Sequence, residues 1–347
     1  MKFTFPNFGN YNIIFEGILK ELNVDFVSPP KITQKTIKIG VEKSPELFCF
    51  PLKVNVGDFF LAQEKGAEAF LMWENLGGSC RQRYYGEIQK RILKTKNFFI
   101  LNSKNLFSLL KKISQKSQKD VIRALLVAFL KTILLEKIEK KKRFYLPREK
   151  KRGETEKAEK ELLEELRNIS SFSSLFKFFP KIKKRFSQIK IEKISLPRVM
   201  LIGEIYTLVE KGVNLNLEKR LAEQKIEVER KLGLLENFKE GLLPFAEKFM
   251  QKRIQKYLSS TVGGHGRQAI DEFLEAKKKK FEGALQILPF GCMPETTVRP
   301  ILEKLAKKFK MAFLSLSFDE ETGEAGFQTR IEAFSDLLWK KFERSKK

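Results

Sequence analysis

The segment ALQILPFGCMPETTVRPILEKLAKKFKMAFLSLS, residues 284–317, decides how the chain is read. Ala284–Leu288 is a short apolar run of strand character that stops at Pro289 and Gly291. From Thr296 to Phe309 the apolar residues take helical spacing, and Ala312–Ser317 returns to a strand pattern. A strand, a helix and a second strand in this compass predict a parallel pair joined by a crossover helix.

The same alternation extends on both sides. Upstream, Arg198–Ile205 and Ile226–Glu229 read as strands, and Leu217–Gln224, Leu242–Leu258 and Gln268–Lys280 as helices. Downstream, Ala325–Phe342 reads as a closing helix. In the first hundred residues the expected strands are Lys2–Phe5, Val24–Val27, Ala69–Trp73 and Phe98–Leu101. The expected helices there are Ile13–Leu22, Gly57–Lys65 and Tyr85–Lys94. Between these halves, Asp120–Lys142 and Glu154–Asn168 have helical periodicity and strand signals are few. Ser170–Ser174 and Pro180 punctuate the stretch that leads to Lys193. The expectation is α/β: two flavodoxin-like, doubly wound parallel-sheet domains, at residues 1–110 and 198–347, joined by a basic helical insert at 111–197. No short-period repeat is visible.

Composition narrows the function classes. Sixty-eight Lys and Arg against 43 Asp and Glu give a formal charge of +25. The insert concentrates it, with 25 basic and 11 acidic residues between Lys111 and Lys193. Interleaved lysines and glutamates without a recognisable RNA-binding motif favour a solvated surface or a docking face for an acidic protein over a nucleic-acid site. No run of about 18 uncharged apolar residues occurs, and the N-terminus lacks a signal-type apolar core. A cytoplasmic protein with no membrane partner is expected.

Three cysteines, Cys49, Cys80 and Cys292, in a cytoplasmic chain argue against a disulfide framework, which needs an oxidising compartment and usually an even count. Cys80 and Cys292 follow strands, where ligand sites assemble in parallel sheets. Cys49 reads as lying in a Pro-flanked loop, and Gly77, Gly78 and Gly291 offer tight turns beside the thiols. Each cysteine taken alone reads as a small buried apolar residue rather than a ligand. A zinc site or a thiolate nucleophile would have to enlist His265, the one histidine.

Other candidates carry two readings each. Gly263, Gly264 and Arg267, in VGGHGR before a helix, form either a phosphate cradle or a tight turn. His265 is a proton donor or a structural hydrogen-bonding group. Glu295 and Glu204 are acid–base groups or helix-capping carboxylates, as are the acids of Asp319–Glu324. No nucleotide-binding signature is present.

The segments FCFPLKVNVGDFF, GGSCRQRYYGEIQ, TVGGHGRQAIDEFLEA, LPFGCMPE and LSLSFDEETGEAGFQTR resemble a group related to the 2-hydroxyacyl-CoA dehydratases, including CoA-enzyme-activase-related proteins. The resemblance covers residues 1–110 and 198–340 and departs at Ser79 and at Gln82–Arg83. It implies one 4Fe–4S cluster on Cys49, Cys80 and Cys292, with one iron open to a small ligand. It also implies activator-driven, ATP-dependent reduction or dehydration of an acyl-CoA-like substrate. His265 or Glu295 would then serve the leaving hydroxyl, and Gly263, Gly264 and Arg267 a CoA phosphate. The implied partners are an activator ATPase with its own iron–sulfur cluster and a second, identical or related subunit. A non-catalytic electron-transfer or scaffold subunit is the alternative.

Overall fold

A computed structural model describes residues 1–74, 80–236 and 244–346, with backbone alone for 244–247. It is α/β, with two parallel sheets. In chain order the first half holds β1 (Phe3–Thr4), α1 (Asn12–Glu21), α2 (Gln34–Lys43), α3 (Phe50–Glu64), β2 (Ala69–Trp73), α4 (Tyr85–Leu93), β3 (Phe98–Leu101) and α5 (Leu106–Ser114). Three long helices come next: α6 (Gln118–Tyr145), α7 (Glu154–Asn168) and α8 (Phe172–Ser187). The last part holds β4 (Arg198–Gly203), α9 (Ile205–Val209), α10 (Leu217–Glu223), β5 (Glu227–Glu229), α11 (Pro244–Ile254), α12 (Gly266–Lys278), β6 (Gly283–Pro289), α13 (Met293–Phe309), β7 (Ala312–Phe318) and α14 (Glu324–Lys346).

The chain forms two compact units, residues 1–135 with 162–181, and 136–161 with 182–347. The division falls inside α6, α7 and α8, so the helical middle is shared between them. In the first unit the sheet order is β1-β2-β3, and Phe26 makes one parallel bridge to Phe3 on the outer side of β1. In the second the order is β5-β4-β6-β7. Counting Phe26 as a rudimentary strand, each unit places its strands in the order second, first, third, fourth. The chain reverses direction across the sheet between the first and third strands, where open parallel sheets form ligand crevices at their carboxyl ends.

The likeness of the units extends to single bonds. The Lys2 N–H donates to Glu68 Oε2 at 2.9 Å, and the Glu68 N–H returns to the Lys2 carbonyl at 2.9 Å. In the second unit the Arg198 N–H donates to Glu282 Oε2 at 2.6 Å, and the Glu282 N–H returns to the Arg198 carbonyl at 3.2 Å. Both pairs set the same register: Phe3 lies beside Ala69, and Val199 beside Gly283. Left-handed residues also recur, Asn23 and Lys225 before the second strand and Gly66 and Lys280 before the third. These are half-chain correspondences, which a search for short periods does not detect.

Apolar packing explains the element choices. In α3 every residue from Phe50 to Ala62 except Phe60 is buried, because the helix lies between β2 on one side and α2 on the other. Cys49 is therefore the N-cap of a helix, which corrects the expected Pro-flanked loop before Val54, and the helix expected from Gly57 begins at Phe50. Pro51 occupies the first turn, where the missing N–H has no intrahelical partner to lose. The reading of Pro180 as punctuation is also corrected: α8 runs through it. Leu175, Phe178, Ile182 and Phe186 form one buried stripe that holds the helix together across the proline. Val24–Val27 is reduced to the bridge at Phe26. Residues 242 and 243 of the expected Leu242–Leu258 helix lie outside the described residues, as do Gly77, Gly78 and Ser79. Among the described residues no helix is long and apolar enough to cross a membrane.

Candidate functional site

All three cysteines are helix N-caps. Cys49 caps α3, Cys80 caps the helical run 81–93 that contains α4, and Cys292 caps α13. The reason is the same each time: a strand or turn ends, and Pro or a short polar segment starts the next helix with extended backbone at the cap. A crossover helix runs back along its sheet, so its N-terminus lies at the sheet's carboxyl end. A helix N-terminus also favours negative charge, and it is a setting in which thiols become thiolates.

In the first unit the two cysteine segments are tied together. The Cys49 Sγ contacts the Tyr85 hydroxyl, and the Arg81 guanidinium donates to the Leu47 carbonyl. Gln82 donates to the Trp73 carbonyl at 2.7 Å, anchoring the same run to the end of β2. Cys49 is buried and Cys80 half-buried. Arg81 and Tyr85 were not legible as partners of the Cys49 segment, since each pairing spans more than 30 residues.

In the second unit Glu295 follows buried Cys292 by three residues and lies within electrostatic reach of Glu204 and Glu272. Glu204 follows β4 and caps α9, accepting from the Tyr206 and Thr207 N–H groups at 2.9 Å each. Burial nonetheless raises its carboxyl. Glu295, in the first turn of α13, is fully buried. The Gln286 side chain donates to its Oε2 at 2.9 Å and to its carbonyl at 3.1 Å, while Ser315 donates to Gln286 Oε1 at 2.9 Å. The Oε1 of Glu295 has no hydrogen-bond partner among the described residues. Burial, with the nearby Glu204 charge, pushes the Glu295 carboxyl up to about 7. Glu272 on α12 is held well above the usual carboxylate range by burial and by like charges at Glu236, Glu275 and Glu295. Gln286 was the available signal for this network: a lone polar residue inside an otherwise apolar strand.

His265 caps α12, with Gly263 and Gly264 both left-handed before it. The helix thus begins at Gly266, two residues before the expected start. Burial lowers His265 to about 4, leaving the imidazole neutral at physiological pH. A Cβ built on Gly266 would stand 3.0 Å from the Pro294 carbonyl, so the starts of α12 and α13 are in close contact. Arg267 donates to Gln251 Oε1 at 3.1 Å. In the Asp319–Glu324 segment, Asp319 accepts from Thr322 Oγ1 at 2.7 Å and shapes a turn, while Glu324 opens α14 and pairs with Arg220 at 3.0 Å.

As donors, three soft thiolates suit an iron–sulfur cluster, and the helix caps suit its negative charge. Cys49 and Cys80 belong to the first unit and Cys292 to the second. Among the described residues no three Cys, His, Asp or Glu side chains stand together at metal-binding spacing. No family model matches the sequence, and no curated protein matches it.

Proposed function

We propose that this chain is a cytoplasmic iron–sulfur protein of the 2-hydroxyacyl-CoA dehydratase type, with two flavodoxin-like units holding one 4Fe–4S cluster through Cys49, Cys80 and Cys292. The observation that carries the reading is the shared placement of the three cysteines, each capping a helix at the carboxyl end of a parallel sheet.

When bound, such a cluster supplies low-potential electrons and Lewis acidity toward a small acyl substrate. The chain's own contribution is proton handling and exclusion of water. Glu295 titrates near neutrality, so its carboxyl can give a proton to a departing hydroxyl and take one back in the same pH range. Gln286, fixed by Ser315, holds that carboxyl in one orientation. His265, neutral at physiological pH, can donate or accept one hydrogen bond at the start of α12. Gly263 and Gly264 form a tight turn, and one guanidinium nitrogen of Arg267 is held by Gln251.

The test is iron content after anoxic reconstitution of the full chain. Cys49→Ser, Cys80→Ser and Cys292→Ser should each lower it at least twofold while far-UV circular dichroism stays unchanged. Three variants that all retain wild-type iron would overturn the reading.

A further inference from the structure

Helix α8, FSSLFKFFPKIKKRFS, is apolar on more than its buried stripe. Phe172, Phe176 and Phe179 form a second row on one flank of that stripe, prolonged by Lys183. Phe176 is 70% exposed and Phe179 47% exposed. The helix carries five cations, Lys177, Lys181, Lys183, Lys184 and Arg185, and no acid. Helix α6 shows a matching row: Ile122, Leu126 and Phe129 are exposed at one-turn spacing, with exposed Lys119 and Arg123 beside them.

Both apolar rows belong to the first unit. There the two helices brace the same end of α7: Lys131 of α6 donates to the Arg167 carbonyl at 3.3 Å, and Lys181 of α8 pairs with Glu165 at 2.5 Å. Farther along the same helices the Tyr145 and Phe186 rings stand 5.3 Å apart. Burial, then like charge at Lys141 and Lys183, lowers the Lys137 ammonium. Lys137 and Lys183 each prolong one exposed row, so the rows run along neighbouring helices. Single apolar side chains on a surface are ordinary; five large ones in two neighbouring rows are not.

We propose that the exposed rows of α6 and α8 are a docking face for an anionic lipid surface, on which the chain lies without crossing it. The proposal is independent of the iron–sulfur reading. Two properties select this occupant. The rows call for an apolar layer and the cations beside them for negative charge, and a bilayer interface rich in acidic headgroups offers both. Lysine stems can lie along the acyl boundary while their ammonium groups stay among the headgroups. A second copy of this chain would present apolar rows too, but it would oppose the same cations on a chain of charge +25. Nucleic acid would match the cations and leave aliphatic Ile122 and Leu126 without a stacking partner. Among the described residues no helix is long and apolar enough to span a bilayer, and a contact along helix faces needs none.

Flotation of the full chain with lipid vesicles tests this. The chain should float with vesicles of equal parts phosphatidylglycerol and phosphatidylcholine and stay behind with phosphatidylcholine alone. The double variant Phe176→Ser, Phe179→Ser should bind the mixed vesicles about tenfold more weakly. Its far-UV circular dichroism should be unchanged, because both side chains are exposed and their loss leaves no cavity. Lys177→Glu with Lys184→Glu should weaken binding by about tenfold as well. Phe176→Trp should gain blue-shifted emission, relative to wild type, with the mixed vesicles only. Equal binding to both kinds of vesicle, or full binding by the double phenylalanine variant, overturns the proposal. A chain that ignores vesicles and dimerises through Phe176 and Phe179 also overturns it, and assigns the face to a second copy. So does a chain that ignores vesicles and binds polyglutamate or an oligonucleotide through Lys177 and Lys184.

Discussion

Glu295 is a carboxyl enclosed by protein, hydrogen-bonded at one oxygen and bare at the other, and its chemistry stems from that enclosure. Burial penalises the charged form, so the folded chain keeps this proton to about pH 7 while an unfolded chain loses it near 4.5. Between those values the folded state binds the extra proton, so this group's contribution to stability is full below 4.5 and is lost as pH rises toward 7. Glu295→Gln should remove that slope. Relative to wild type the variant should gain stability by up to about 3 kcal/mol between pH 5 and pH 8, measured by urea denaturation of the iron-free chain. An unchanged difference across that range would mean the carboxyl is ionised throughout. Glu295 was legible as a candidate because it lies just after Cys292 in PFGCMPE. Glu272 was not, since a glutamate at helical spacing on α12 looks like any solvated acid until packing buries it.

Two helix-scale features brace the units, one in each. Where α2 crosses α3, a Cβ on Gly57 would stand 1.9 Å from the Thr36 carbonyl and one on Gly40 1.9 Å from the Lys53 carbonyl. The helices touch backbone to backbone, and α3 carries Cys49 at its start. Gly57→Ala should cost at least about 3 kcal/mol by chemical denaturation, at the upper end for overpacking because backbone must move; a loss under about 1 kcal/mol would contradict the crossing. In the second unit, α6, α7 and α10 meet through a buried ionic network. Glu218 pairs with Arg230 at 3.2 Å and Arg143 at 3.5 Å, and Arg230 also holds Glu139 at 2.5 Å. Despite burial, these cations hold the Glu218 carboxyl down to about 2. Glu218→Gln should therefore destabilise the chain by about 3 kcal/mol at pH 7, because buried guanidinium groups lose a partner. This contribution is complete above pH 4.5 and disappears as acid approaches pH 2, so wild type and variant should converge there. In sequence the network looks like surface charge, since lysines and glutamates at helical spacing do not reveal which of them a neighbouring helix covers.

At the scale of the molecule, alternation of strand and helix made both parallel sheets readable, with Ala69–Trp73 and Phe98–Leu101 found at the bounds the sequence suggests. Strand order and the kinship of the two units were not readable, because they rest on bonds such as Lys2–Glu68 and Arg198–Glu282 between distant residues. The charge of +25 belongs to this scale too. Part of the basic middle is engaged in ion pairs, buried in the case of Lys142–Glu159 and more exposed in that of Arg185–Glu161. On the proposed function the chain has no means of its own to hydrolyse ATP. Purified alone it should show no ATPase activity, and its cluster should be reduced when a cognate activator and MgATP are added; ATP hydrolysis by the isolated chain would contradict that dependence. The central claim is the cluster, and the direct measurement is iron and sulfide per chain, with an EPR spectrum, on protein prepared without oxygen. The account predicts a brown protein with about four irons per chain and a reduced-state signal of a single cubane. A folded, colourless chain that remains iron-free after reconstitution would contradict it.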